Sequence, residues 1–327
     1  MFSASDVKEL REKTGAGMMD CKKALEACEG NQDKAVDWLR EKGIAKAAKK
    51  ESRIAAEGLT EAVGDENEAI IFEVNCETDF VTKNERFHDL IKELRSTLIS
   101  SKCKNTEEAL EVKLKDGRSV AERIVEETAT IGEKISFRRF ERSVKNDDEV
   151  FGIYSHMGGK ITAIVVLKGS NVEVAKDIAM QAAAMSPIAV NRDSVPTDIV
   201  EHEKEMIKAE MKNDPKNESK PEDILDKMAT GKLSKFFKEN CLVEQDFIKD
   251  SSMSVLKYAE ANNCEVISMV RYATGEGIEK KQENFAEEVA AQMKAANWVY
   301  IIVHFFFEKF LFLFFLFVII IYRNKFV

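Results

Sequence analysis

The stretch E-V-N-C-E-T-D-F-V-T-K-N, Glu73 to Asn84, decides the fold. Its first half alternates. Ile70, Phe72, Val74 and Cys76 point one way, while Glu73, Asn75 and Glu77 point the other. A period of two predicts a half-buried strand. From Phe87 the period changes, with Phe87, Leu90, Ile91, Leu94 and Leu98 at helical spacing. Between the two patterns, Thr78, Asp79, Phe80 and Val81 form a strand-to-helix junction. Such a junction presents a carboxylate and a benzyl ring side by side on rigid supports.

The same mixture continues outward. Leu59 to Val63 and Ala69 to Cys76 read as paired strands turning at Gly64-Asp65-Glu66-Asn67. Helices are expected from about Asn84, around Thr106 to Leu114, and over Val120 to Thr130. Ile135 to Arg142 reads as a strand, with Ile135, Phe137 and Arg139 alternating against Ser136, Arg138 and Phe140. Val150 to Lys168 is a hairpin, its turn carrying Gly158-Gly159 where positive φ is demanded. Val174 to Met185 is a helix of small residues that Ser186-Pro187 ends. From Thr197 to Asn217 the apolar stripe narrows, with Ile199/Met206 and Val200/Ile207 each a heptad apart. A second narrow-striped helix starts near Pro221 with Ile224, Leu225 and Met228, so the two form a projecting helical hairpin. Ser254 to Ala261 is then a helix and Cys264 to Ala273 a strand. The sheet opened at Val150 is therefore expected to close after the excursion. Gly275 to Gly277 turns the chain into a last amphipathic helix with Phe285, Val289 and Met293 in line.

The first residues read as three short helices. The first carries Val7 and Leu10 and stops at Thr14-Gly15. The second holds Met18, Cys21, Ala24, Leu25 and Cys28, with Met18 expected inward. Asn31 caps the third, which buries Ala35, Val36 and Leu39 and ends at Gly43. Ile44 to Ala56 is rich in Ala and Lys and reads as a solvated connector with helical leaning. The fold class is thus α+β: an N-terminal three-helix bundle, a two-part core with antiparallel sheets, an inserted helical hairpin and a C-terminal helix. The expected boundaries are 1–45 for the bundle, 46–56 for a linker and 57–145 for the first core unit. The second core unit is 146–190 with 231–273, the hairpin 191–230, the C-terminal module 274–297, and an apolar tail 298–327.

The chain of 327 residues carries 49 Lys and Arg against 58 Asp and Glu, a net charge of -9. That balance argues against direct nucleic-acid binding, which needs clustered cations on phosphates. No G-x-x-x-x-G-K-[ST] stretch is present, and Gly158-Gly159-Lys160 lacks the upstream glycine. No cofactor is expected. The six cysteines form no C-x-x-C pair, and Cys21 and Cys28 lie ~10 Å apart along one helix, too far to bridge. Free, mostly buried thiols and an N-terminus without an apolar signal region point to the cytoplasm. The tail from Trp298 to Val327 holds nearly half of the 20 Phe. Phe310 to Tyr322 falls short of the ~20 residues of a membrane span, and a longer stretch would carry Glu308 and Lys309 near its middle. An extension without function, a membrane tether and a partner contact all remain open for it.

E-V-N-C-E-T-D-F-V-T-K resembles a signature of the elongation factor Ts family, the nucleotide-exchange factors of the GTPase elongation factor Tu. The one departure noted is Thr82, where the family usually has Ser or Ala. A second signature, L-R-E-K-T-G-A-G-M-M-D-C-K-K-A-L from Leu10 to Leu25, also matches, and the likeness runs from about Val7 to about Ala296. The resemblance implies a ubiquitin-associated-type bundle at the start, a coiled-coil insertion at the hairpin, and no catalytic residue. It implies that Thr78, Asp79, Phe80 and Val81 enter the partner beside its Mg²⁺ and phosphate region. It also implies further partner contacts at Arg11, Met19, His156, Met157 and Gly158. Read on residues alone, Phe80 is a hydrophobic staple and Asp79 a helix cap. Two rival readings are a helical adaptor that needs only the first forty residues, and a metal-dependent hydrolase using Glu73, Glu77 and Asp79, although no His lies at ligand spacing. A homodimer through 191–230 and membrane contact through 298–327 complete the expected partners.

Overall fold

The computed structural model describes residues 2–214 and 220–279. The last helix expected after Gly277 and the apolar tail lie outside the described residues, as does the tip of the helical hairpin. Met1–Ile278 forms one compact unit.

Three helices open the chain: α1 (Ala4–Thr14), α2 (Met18–Ala27) and α3 (Gln32–Ala48). Ser3 and Asp6 form a reciprocal capping box on α1, and Gly15 ends it in the left-handed conformation, φ 69°. Asn31 caps α3 by accepting from the Lys34 amide at 3.0 Å. Val7, Leu10, Cys21, Ala24, Leu25 and Ala35 are buried between the helices. Met18, expected inward, is 43% exposed. The inward stripe of α2 begins only at Cys21, so the first turn overhangs the core. Gly43 does not stop α3. A Cβ there would lie 3.2 Å from the Ala129 Cβ, so glycine lets the helix pass close to the core and continue to Ala48. The segment Ile44 to Ala56 is mostly exposed and helical to Ala48, as a solvated connector with helical leaning would be, but its second half is tied to the core. The Lys50 ammonium donates to the Gly132 carbonyl, Lys134 donates to the Glu51 carbonyl at 2.5 Å, and Ala55 and Ala56 are buried.

The first sheet has the order β1-β2-β3, all antiparallel: β1 (Glu57–Gly64), β2 (Glu68–Cys76) and, after three helices, β3 (Ser136–Val144). The helices are α4 (Glu85–Ser100), α5 (Thr106–Glu111) and α6 (Val120–Ile131). Ile70, Phe72, Val74 and Cys76 pack against Phe87, Leu90, Leu94 and Leu98 of α4, as the two periods predict. The opposite face of β2 departs from expectation. Ile71 and Glu73 are fully buried and Asn75 is 1% exposed, because a second sheet covers them. The alternation in β3 also breaks. Glu73 pairs with Arg139 but Val74 with Phe137, so Arg138 is a bulge residue. The bulge turns both Phe137 and Phe140 into the core, where simple alternation had separated them.

The second sheet has the order β4-β5-β8, again antiparallel: β4 (Glu149–His156), β5 (Ile161–Lys168) and, after a long excursion, β8 (Glu265–Ala273). The excursion runs through α7 (Val172–Met185), α8 (Thr197–Asn213), α9 (Glu222–Asn240), the short strands β6 (Asp246–Phe247) and β7 (Asp250–Ser254), and α10 (Val255–Ala261). Ala175, Ala179 and Ala182 let α7 lie close on the sheet. A Cβ on Gly152 of β4 would fall 2.0 Å from the Ala175 carbonyl oxygen. Of the two heptad pairs on α8, Ile207 turns inward and is buried with Met211, while Ile199 and Met206 stay exposed. The return helix continues past residue 230 to Asn240, where Phe236 and Phe237 pack on Ala189, Val195 and Cys241. Between the sheets, Ala69 and Ile71 meet Ile164 and Tyr272 in a layer of their own.

Candidate functional site

Strand pairing decides which loops meet. Cys76 at the end of β2 lies opposite Glu57 at the start of β1, and His156 at the end of β4 opposite Ile161. The two sheets are tied at this same end. The Thr60 amide donates to the Gly159 carbonyl at 2.6 Å, and Lys160 pairs with Glu57 at 2.9 Å. The Thr274 amide donates to the Lys160 carbonyl at 2.9 Å. The Thr78–Val81 junction, the His156–Gly159 turn and the turn after β8 therefore gather at one end of the paired sheets.

Each part of the junction is held from below. The Thr78 amide and hydroxyl both donate to the Glu133 carboxylate, at 2.9 and 2.7 Å. Glu77 accepts from the Lys134 amide at 2.6 Å and pairs with Arg53 at 3.3 Å. The Thr82 hydroxyl donates to the Asp79 carbonyl at 2.7 Å. Val81 is buried in the first core, and its apolar side chain anchors the loop. Thr78 likewise spends its hydroxyl on Glu133 within the chain. Phe80, between these anchors, is 77% exposed, so it is no staple. The cap of α4 is Asn84, which accepts from the Arg86 amide at 2.9 Å, rather than Asp79. Asp79 instead pairs with Lys83 at 2.9 Å, and that hydrogen bond holds its carboxyl below the usual carboxylate range. The Lys83 ammonium lies 5.7 Å from the Phe80 ring centroid.

The neighbouring turn presents a second apolar tip. Met157 is 73% exposed and has φ 49°, followed by Gly158 at 64° and Gly159 at 96°. Three successive positive φ values make a tight reversal, and Gly159 is the residue pressed on Thr60, whose oxygen lies 2.8 Å from where a Cβ would stand. His156 and Gly158 are exposed, and the Tyr154 hydroxyl lies 3.3 Å from the His156 Nδ1. Arg11 and Met19 are exposed on the bundle, on α1 and α2.

The three carboxylates of the hydrolase reading are not assembled. Glu73 is fully buried between Arg138 and Arg139, Glu77 engages Arg53 and Lys134, and Asp79 engages Lys83. No group of three potential metal ligands occurs among the described residues. Burial pushes the Cys76 thiol up to about 12, the opposite of an activated nucleophile. Two cavities, of about 460 and about 760 Å³, are lined by neither apolar tip. The supports at Glu133, Lys160 and Thr60 carry no signal in the sequence, since each lies about fifty residues or more from its partner.

The described residues present projecting side chains on braced loops here, rather than groups converging on a cavity. Residues 77–276, more than half of the chain, match the family model for elongation factor TS. The chain belongs to the elongation factor Ts family, whose general role is nucleotide exchange on elongation factor Tu. No helix among the described residues is long and apolar enough to cross a membrane.

Proposed function

We propose that this protein releases GDP from elongation factor Tu by inserting Phe80 beside the Mg²⁺ and phosphate end of the nucleotide site, with Asp79 engaging the partner's backbone there. The observation that carries this reading is the 77% exposure of Phe80 on a loop whose neighbours are all fastened. An exposed aromatic ring on a rigid mount loses little entropy on binding. Exchange is a coupling between two ligands of one partner: whatever factor this protein takes from GDP affinity, GDP takes from its own. Turning a mostly closed GTPase into a mostly open one requires about 5.5 kcal/mol of differential affinity. One buried Phe supplies about 1.5–3 kcal/mol. The ring is therefore insufficient alone, and Met157, His156 and Gly158 on the adjacent turn, with Arg11 and Met19 on the bundle, supply further grip in this proposal. No bond is made or broken by the factor itself.

The test is release of a fluorescent GDP analogue from purified elongation factor Tu, comparing the full chain with Phe80→Ala. With 77% of the ring available for burial, the variant loses about 1.2–2.3 kcal/mol, or about 7- to 50-fold in kcat/KM. An unchanged exchange rate at equal binding excludes the wedge.

A further inference from the structure

Between the bundle and the core sits a side chain that neither signature contains. Arg86, in the first turn of α4, donates from Nε to Glu127 at 2.6 Å and from a terminal nitrogen to the other carboxylate oxygen at 3.1 Å. Glu127, on α6, is fully buried. The far side of the same guanidinium faces Gly15, the cap of α1: a Cβ there would lie 2.3, 3.1 and 3.3 Å from three of its atoms. A flexible arginine would swing away from such a contact. This one is fixed by a bidentate carboxylate, a planar fork with a single good geometry. The bundle's first turn thus rests on a plate that the core holds still, six residues after Phe80.

We propose that Arg86 is a positioning residue, clasping the Gly15 turn to Glu127 so that the bundle's partner-binding face stays in register with the Phe80 loop. This rests on the exchange reading above and adds to it the way two separate contact surfaces act as one. Two surfaces held in register bind as a bivalent unit, whereas a loosened bundle forfeits its effective concentration. The clasp therefore governs how much factor is needed, not how fast a fully engaged complex releases nucleotide.

The experiment measures GDP release from elongation factor Tu across a range of factor concentrations for the full chain, Phe80→Ala, Arg86→Gln, Gly15→Ala and the double variant. Arg86→Gln keeps a polar side chain beside Glu127, and urea unfolding with amide hydrogen exchange reports on its fold. The expected result is a rise of about tenfold or more in the half-saturating concentration for Arg86→Gln, the scale of a lost second contact. Its rate at saturation stays within about twofold of wild type. Gly15→Ala, strained by its positive φ in either background, raises the half-saturating concentration in both, but less on Arg86→Gln than on wild type, since interacting residues are non-additive. Amides of α1 and α2 exchange faster in Arg86→Gln while those of β1 and β2 do not. An unchanged half-saturating concentration, a loss confined to the saturated rate, strictly additive effects, or unchanged α1 and α2 amides each overturn the clasp. If the wild-type chain fails to accelerate release, the exchange reading falls. The amide pattern then still tests the clasp on its own.

Discussion

Replacing Glu73 with Gln keeps the size of the side chain and removes one charge from a fully buried position that donors surround. The carboxylate accepts from Asn75 Nδ2 at 2.9 Å, Arg138 at 3.1 Å, Arg139 Nε at 2.6 Å and the Gly275 amide at 2.7 Å. Every one of these partners is a donor. A Gln amide presents its NH₂ to at least one of them, so donors face each other where an acceptor stood. Two guanidiniums also lose this fully buried counter-ion, and Arg139 keeps only the more distant Glu276, at 3.7 Å. Breaking a buried pair costs about 3–5 kcal/mol. Arg138 and Arg139 are 26% and 27% exposed, so water takes over part of their solvation and the lower end applies, about 3 kcal/mol. With a urea m-value of about 3 kcal/mol per M, the unfolding midpoint falls by about 1 M. Glu61→Gln is the control, since burial raises the Glu61 pKa and removing that charge also relieves a desolvation cost. Equilibrium urea unfolding of both variants decides the matter. A Glu73→Gln midpoint no lower than that of Glu61→Gln refutes the view that this carboxylate, rather than the apolar layers, fastens the end of β8 to the first sheet.

Gly152→Ala drives a methyl into the Ala175 carbonyl, and thermal unfolding is expected to show a loss of about 3 kcal/mol or more because backbone, not a side chain, must move. Native thiol labelling followed by peptide mapping should modify the partly exposed Cys28 first and spare Cys76, whose thiol is buried and pushed up to about 12; rapid labelling of Cys76 in the folded state contradicts that environment. Glu122 closes the capping box on α6, and the Ser119 amide holds its carboxyl below the ordinary value of 4.5. Its contribution is complete above that value and lost as pH falls through the lowered one. Acid unfolding of Glu122→Gln should therefore lose less stability below pH 4.5 than the wild type, and equal slopes would sink the assignment.

What could be read from residues alone was local. Phe87, Leu90, Ile91, Leu94 and Leu98 announce α4 because a helix face repeats within one turn, and Gly158-Gly159 announces a reversal because few residues accept positive φ. The α+β class follows from such periods. The alternation of Ile70 to Cys76 was legible too, but not that Glu73 and Asn75 would be buried. A polar face reads as wet unless something distant covers it, and the cover here is a sheet from residues 149–273. The bulge at Arg138 was hidden for a related reason. It exists because both arginines must reach Glu73, a demand visible only once β2 and β3 are paired. At the site, Phe80 and Met157 were legible as residues to watch, but their exposure was not. Neither was the burial of Val81, which looks like its neighbours in sequence and faces the opposite way in space.

The placement of the apolar tips explains the expense of what lies beneath them. A loop that must keep a phenyl ring in water gains nothing from burying it, so it has to be fixed by other means. Here the means are hydrogen bonds between residues far apart along the chain: Thr78 donates to Glu133, Lys134 to Glu77, and Thr60 to Gly159. Each residue ordered in advance spares about 1–2 kcal/mol of backbone entropy when a partner arrives. Three or four such residues represent about 3–8 kcal/mol, more than the ring itself can deliver on burial. A flexible loop bearing the same Phe80 would spend the ring's contribution on its own ordering, leaving nothing to set against a tightly held nucleotide. The proposed wedge therefore depends on the doubled sheet beneath it: a single sheet would leave Thr60 and Glu57 exposed and the two turns independent, whereas two sheets joined at one end turn both into a single rigid edge.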